Sequence, residues 1–288
     1  MKQNKYDIED NEIRFLGEDA STIRKRYIWI SLCCIIVIAF ITTIIILISN
    51  HRTQAEEGIF EQSAVPSLPH PMRSWLHSLD SVPEIGVITK DTIVNDIPLR
   101  VYVPLNSTPR LEVGYHCVDD TINNFLFFQA ADVRADNKKI VGAFVLRGKP
   151  LSWGLSKKGY CGIIGTEVTI GVADNSPLFE QATETSGYFF RQYPLVSNGE
   201  LVENELKSQS IRRGLCELED RVVVVETLSR ESLHDFSQAL VDIGVANAIY
   251  LVGGTAIAWY HNMEGKSEAL GEWQPRLYPN TSFIIWSR

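Results

Sequence analysis

Residues 27–48 read YIWISLCCIIVIAFITTIIILI, a run without charge in which only Ser31, Thr42 and Thr43 are polar. As a helix with a rise of about 1.5 Å per residue, a run of this length covers roughly 30 Å, the thickness of bilayer hydrocarbon. A helix buried in a soluble core would normally carry a polar stripe, and this one carries none. A transmembrane helix is therefore expected, with Tyr27 and Trp29 at the headgroup level. Arg24, Lys25 and Arg26 precede the run, while only Arg52 follows closely, which places residues 1–26 in the cytoplasm. The run is too long for a usual signal-peptide core, and no small-residue cleavage pattern follows it. The expectation is an uncleaved signal anchor: a single-pass protein of the cell membrane whose C-terminal domain is extracytoplasmic, periplasmic if the cell is bacterial.

The anchor divides the charge. Residues 1–26 hold six Lys or Arg and six Asp or Glu, so the net charge of -8 belongs to the exported part. An acidic surface argues against nucleic acid as a partner, because phosphate capture needs a basic one. Residues 49–72 are polar and Pro-bearing and read as a tether; residues 73–288 read as one exported domain. Cys117, Cys161 and Cys216 lie in that domain. One disulfide with a free thiol, or three buried thiols, are both open, and no Cys or His spacing suggests a metal site or a cofactor.

Within the domain, periodicity predicts a short helix over 73–79 and a half-buried strand over 97–103. Strands are also expected in 123–134, an aromatic core ending in polar residues, in 140–147, and over 162–164, 167–172 and 187–193. Asn198-Gly199 signals a hairpin turn. Residues 222–225 are a β-branched run suited to a strand buried on both faces. Ser229 is the expected cap of a following helix, in which Leu233, Phe236, Leu240 and Ile243 form the apolar stripe and Gly244 ends the helix. Residues 247–252 then form another buried strand before Gly253-Gly254-Thr255. These features predict an α+β fold with a mixed sheet and a C-terminal parallel βαβ unit. In such a unit Glu226, Thr227, Ser229 and the Gly253-Gly254-Thr255 turn share one sheet edge, where α/β sites form.

Three segments resemble a known family. They are Gln192-Tyr193-Pro194-Leu195-Val196-Ser197-Asn198-Gly199, Ser210-Ile211-Arg212-Arg213-Gly214, and the helix-strand run from Phe236 through Asn247-Ala248-Ile249-Tyr250-Leu251-Val252-Gly253-Gly254. In order and spacing they are similar to the phosphodiester glycosidase (uncovering-enzyme) domain family. Val252 stands where the family has an aspartate, Arg213-Gly214 replaces Thr-Ala after the family arginine, and the family's Asn-Gly-Gly segment is not visible near Phe128. The resemblance implies a hydrolase acting on a sugar-1-phosphodiester, with a glycan or sugar-phosphodiester substrate as its partner. Arg212 falls on the family arginine.

Cleavage at the anomeric carbon needs a group to hold phosphate, a carboxyl group for proton transfer and close backbone approach to the sugar. Arg212 is the expected phosphate ligand, since a guanidinium fork matches two phosphate oxygens; Arg134 is a second. Glu226, at the end of its strand, is the first candidate catalytic carboxylate and Asp132 the second. Thr227, Ser229, Gly253, Gly254 and Thr255 are candidate substrate contacts, and Trp259 a surface on which a sugar can stack. The alternative is a catalytically silent glycan- or phosphate-binding module on the same fold, favoured by Val252. A structural protein of the envelope is a third reading, carried only by the anchor.

Overall fold

The computed structural model describes residues 70–204, 206–273 and 278–288. The anchor at 27–48 and residues 49–69 of the tether lie outside the described residues. Among the described residues no helix is long and apolar enough to cross a membrane.

The chain is mostly β sheet. Helix α1 (His70–Ser78) begins within the stretch read as tether and buries Met72 and Leu76. Strands β1 (Gly86–Val94), β2 (Ile97–Leu105), β3 (Arg110–Val113), β4 (Asn124–Gln129), β5 (Ala143–Leu146), β6 (Lys149–Trp153), β7 (Gly159–Ile164) and β8 (Glu167–Val172) follow. Helix α2 (Leu178–Glu184) precedes β9 (Tyr188–Gln192), β10 (Pro194–Ser197), β11 (Glu200–Leu201), β12 (Arg213–Leu218) and β13 (Arg221–Thr227). Helix α3 (Leu233–Asp242), β14 (Asn247–Leu251), β15 (Ala258–His261), β16 (Ser267–Leu270) and β17 (Ser282–Ser287) complete the order. They form three sheets, ordered β1-β2-β13-β12-β14-β10-β11, β16-β15-β4-β17-β3 and β6-β5-β9-β7-β8.

Every pairing among these strands is antiparallel, which corrects the expectation of a mixed sheet with a parallel βαβ pair. β13 and β14 do run in the same direction around α3, but β12 lies between them and is antiparallel to both. The cause is a two-residue hairpin: Glu219 and Asp220 take φ values of 48° and 58°, the left-handed pair of a tight turn, and fold β12 against β13. The expected Asn198-Gly199 turn forms in the same way, at φ 51° and 78°, between β10 and β11.

Alternation along the central strands assigns the two faces of the first sheet. Val223 and Val225 join Leu99, Val101, Phe236 and Leu240 in a core beneath α1 and α3. Val224, Leu215 and Ile249 point the other way, onto Phe128 and Trp286 of the second sheet and Phe144 and Phe190 of the third. Residues 222–225 are thus sandwiched, as a continuous β-branched run should be. Helix α3 is capped by Ser232 rather than Ser229: the Ser232 hydroxyl accepts from the Asp235 amide at 3.0 Å. Of the two readings of the cysteines, unpaired thiols hold: Cys161 and Cys216 are buried and Cys117 half-buried, all three free. Burial pushes all three thiols up, Cys117 to about 12.

Candidate functional site

The carboxyl ends of β4 and β14 meet where the Val252 amide donates to the Gln129 carbonyl at 3.1 Å. Above this junction lies a cavity of about 220 Å³, bounded by Gln129, Asp132 and Val133, by the 252–257 turn, and by Glu272, Tyr278 and Thr281. It is smaller than a pocket for a drug-sized ligand and suits about one sugar ring. Its polar lining includes Asp132, Thr255, Glu272, Tyr115 and Tyr278.

The turn is held from below. The Gly254 amide, at φ 62°, donates to the Ile211 carbonyl at 2.9 Å, and the Gly253 amide donates to the Tyr250 hydroxyl at 3.1 Å. Arg213 Nη1 donates to the carbonyls of Ala256 at 2.7 Å and Val252 at 3.4 Å, so one guanidinium braces both ends of the turn. Gly253 packs so closely that a Cβ there would sit 2.2 Å from the Ile211 oxygen. Because that neighbour is backbone, Gly253→Ala is expected to cost about 1–3 kcal/mol. Urea denaturation checks this, and a change below about 0.5 kcal/mol, the size of a neutral surface substitution, would mean that the turn is not so confined.

Strand alternation separates the two neighbouring arginines. Arg213 enters the core between the sheets, where its Nε donates to Glu226 Oε1 at 2.8 Å over the face of Phe128. Tyr102 donates to Glu226 Oε2 at 2.7 Å. Burial and the Glu226 charge push the Tyr102 hydroxyl well up, so it stays protonated and keeps donating. Glu226 is 3 % exposed and lies off the cavity lining; its carboxylate serves Arg213 and Tyr102. Arg212 is buried on the opposite, helix side, over the ring of Tyr250, where it donates to the carbonyls of Glu231 and Ser208.

The remaining sequence candidates separate likewise. Thr227 is buried, donating to the Ser229 carbonyl and accepting from the Arg212 amide, while the Ser229 hydroxyl donates to Glu231. Arg134 is exposed and binds Asp136, holding that carboxyl down at about 2. Trp259 stacks between Phe127 at 6.0 Å and His261 at 6.3 Å, away from the cavity. Asp132, Gly253 and Thr255 are the candidates that the cavity brings together, with Gly254 in the same turn and Val252 beside them.

Sequence reasoning missed Glu272, Tyr115, Tyr278 and Lys157. Lys157 is nearly buried, and its ammonium binds Asp132 and donates to Gln192 Oε1 at 2.7 Å over the ring of Tyr193. Burial pulls the ammonium below its ordinary range, with the Asp132 charge opposing. Lys157 also takes φ 70°, a conformation bulky residues rarely adopt and the one local signal of a special position. In sequence it sits in Ser156-Lys157-Lys158-Gly159, which reads as a solvated basic loop.

No protein-family model matches the chain, and no curated protein matches it in sequence. Solved structures do match in fold. The zebrafish N-acetylglucosamine-1-phosphodiester alpha-N-acetylglucosaminidase catalytic domain, auto-inhibited by its pro-peptide, is similar over 71% of this chain and 83% of its own, with a TM-score of 0.52 and 14% identity. A hypothetical protein from Synechocystis is similar over 72% of this chain and 64% of its own, with a TM-score of 0.47 and 11% identity. The likeness to the zebrafish domain is one of fold.

Proposed function

We propose that this chain is a membrane-anchored hydrolase that cleaves a sugar-1-phosphodiester outside the cytoplasm. The observation that carries the reading is a pair of carboxylates, Asp132 and Glu272, on one cavity of sugar size. Glycoside hydrolysis commonly places two carboxyl groups about the scissile bond. The shared fold with a phosphodiester glycosidase supports the same class of substrate.

In this reading Asp132 accepts a proton from the attacking water as its oxygen bonds to the anomeric carbon. The bond from that carbon to the phosphate oxygen breaks, and its electron pair leaves with the phosphate. Phosphate is a good leaving group, so no strong acid is required opposite. The Lys157 ammonium, paired with Asp132, holds that carboxylate in place and brings a positive charge beside the cavity. Glu272 and Thr255 engage sugar hydroxyls. Arg212, Arg213 and Glu226 become positioning residues: Arg213 fixes the turn, Glu226 fixes Arg213, and Arg212 ties residues 208 and 231 beneath Tyr250.

A second reading, binding without cleavage, is favoured by Val252, an apolar residue of the cavity lining where the resembled family has an aspartate. The two separate in one assay. The full-length chain, held in a detergent without a sugar headgroup, is incubated with N-acetylglucosamine-1-phospho-mannose and other sugar-1-phosphodiesters, and free sugar is measured. Release is expected. Binding of the diesters with no release across the panel would replace the hydrolase with the binding module.

A further inference from the structure

A second cavity, of about 430 Å³, opens on the third sheet, remote in sequence from the turn at 252–257. Trp153 at the end of β6 and Leu155 just beyond it border this cavity and are 66% and 67% exposed. Phe179 of α2 adds a further apolar surface, and Asn175, Glu180 and Arg191 supply polar groups. Single exposed apolar residues are ordinary, but a large aromatic and an aliphatic side chain flanking a concave site with convergent polar groups have the form of a ligand pocket.

Arg191 distinguishes this pocket from a surface irregularity. It is 2% exposed, and its hydrogen bonds run to backbone carbonyls alone: Nη1 to Lys157 at 3.1 Å and Ala173 at 3.0 Å, Nη2 to Asp174 at 2.8 Å. Its Nε is buried with no hydrogen-bond partner. A buried donor left unmatched costs free energy, so such groups are usually satisfied by protein, water or ligand.

The charges then select the ligand. An anion in the cavity would meet the carboxylate of Glu180, and a cation would meet the guanidinium of Arg191. A hydroxyl satisfies both, since it donates to Glu180 and accepts from Arg191 or from the Asn175 amide. The apolar wall at Trp153 needs a ligand that also has an apolar face. We propose that this cavity binds a neutral pyranose ring, with one ring face on Trp153 and its hydroxyls on Asn175, Glu180 and Arg191. Binding here requires no hydrolysis at the first cavity, so failure of either assignment leaves the other standing.

The test is saturation-transfer NMR on the full-length chain in a detergent without a sugar headgroup. The probes are glucose, galactose, mannose and N-acetylglucosamine, with glucuronate and glucosamine as charged arms. At least one neutral sugar is expected to bind in the millimolar range, and its charged relatives at least about tenfold more weakly. Trp153→Ala, at an exposed position whose truncation leaves the core intact, is expected to weaken binding about tenfold or more with an unchanged melting temperature. The proposal is overturned if none of the four neutral sugars binds or if glucuronate or glucosamine binds best. Binding that survives Trp153→Ala would also overturn it by placing the sugar outside this cavity.

Discussion

Glu226→Ala is expected to lower stability by about 3–5 kcal/mol, the cost of leaving one member of a buried ion pair without its partner. Arg213 would keep its carbonyl contacts to Val252 and Ala256 but lose the carboxylate that neutralises it at 2% side-chain exposure. Tyr102 would lose its acceptor as well. Urea denaturation reads the effect directly, and a loss below about 1 kcal/mol, typical of an exposed pair, would show that water reaches the site. The double variant Arg213→Met, Glu226→Leu separates charge from packing. Replacing both members of a buried pair by apolar groups of similar volume is often neutral or stabilising, so it should recover the part of the loss due to the unpaired Arg213 charge. Tyr102 and the Val252 and Ala256 carbonyls stay without these partners. Turnover should not recover with it, because the 252–256 turn no longer has its brace. If turnover does recover, Arg213 is not the positioning group assigned to it.

That pair also shows where sequence reasoning succeeds and where it stops. The β-branched run 222–225, the Asn198-Gly199 turn and the apolar stripe of α3 each depend on local periodicity or turn chemistry, and each folds as those rules require. The order of strands depends on the hairpins, and two hairpins carry weak signals. Asn95-Asp96 and Glu219-Asp220 both adopt left-handed φ values without a glycine, so neither dipeptide advertises its turn, and β12 stays hidden between β13 and β14. Once β12 is placed, alternation alone sends Arg212 towards Tyr250 and Arg213 towards Glu226. The resemblance drawn from sequence motifs points to Arg212, whereas the adjacent arginine braces the turn of the cavity. Glu226 is the penultimate residue of β13, and which face it takes depends on the second sheet, whose Phe128 covers the pair. Lys157 and Glu272 come from loops with no periodicity at all, and only the meeting of the β6–β7 loop of the third sheet with the segment after β4 of the second brings Lys157 to Asp132.

Asp132→Asn is expected to reduce turnover of a sugar-1-phosphodiester by about 10²-fold or more, since positioned general bases commonly supply 10²–10⁴-fold. The substitution is nearly isosteric, and its carboxamide oxygen can still accept from Lys157, so substrate binding and folding should change little. A fall in kcat with KM nearly constant would mark Asp132 as acting in the transition state rather than in binding. Lys157→Met provides the complementary test. It retains most of the aliphatic length but removes the cation that binds Asp132 and donates to Gln192. Its expected effect is also on kcat, and the two losses should fail to add in the double variant, because both act through one carboxylate. Free sugar released per enzyme is the measurement in each case. Turnover of Asp132→Asn within about threefold of the unmodified chain, far below what loss of a general base costs, would remove Asp132 from the chemistry. Glu272 would then be the remaining carboxylate on the cavity with which to explain cleavage.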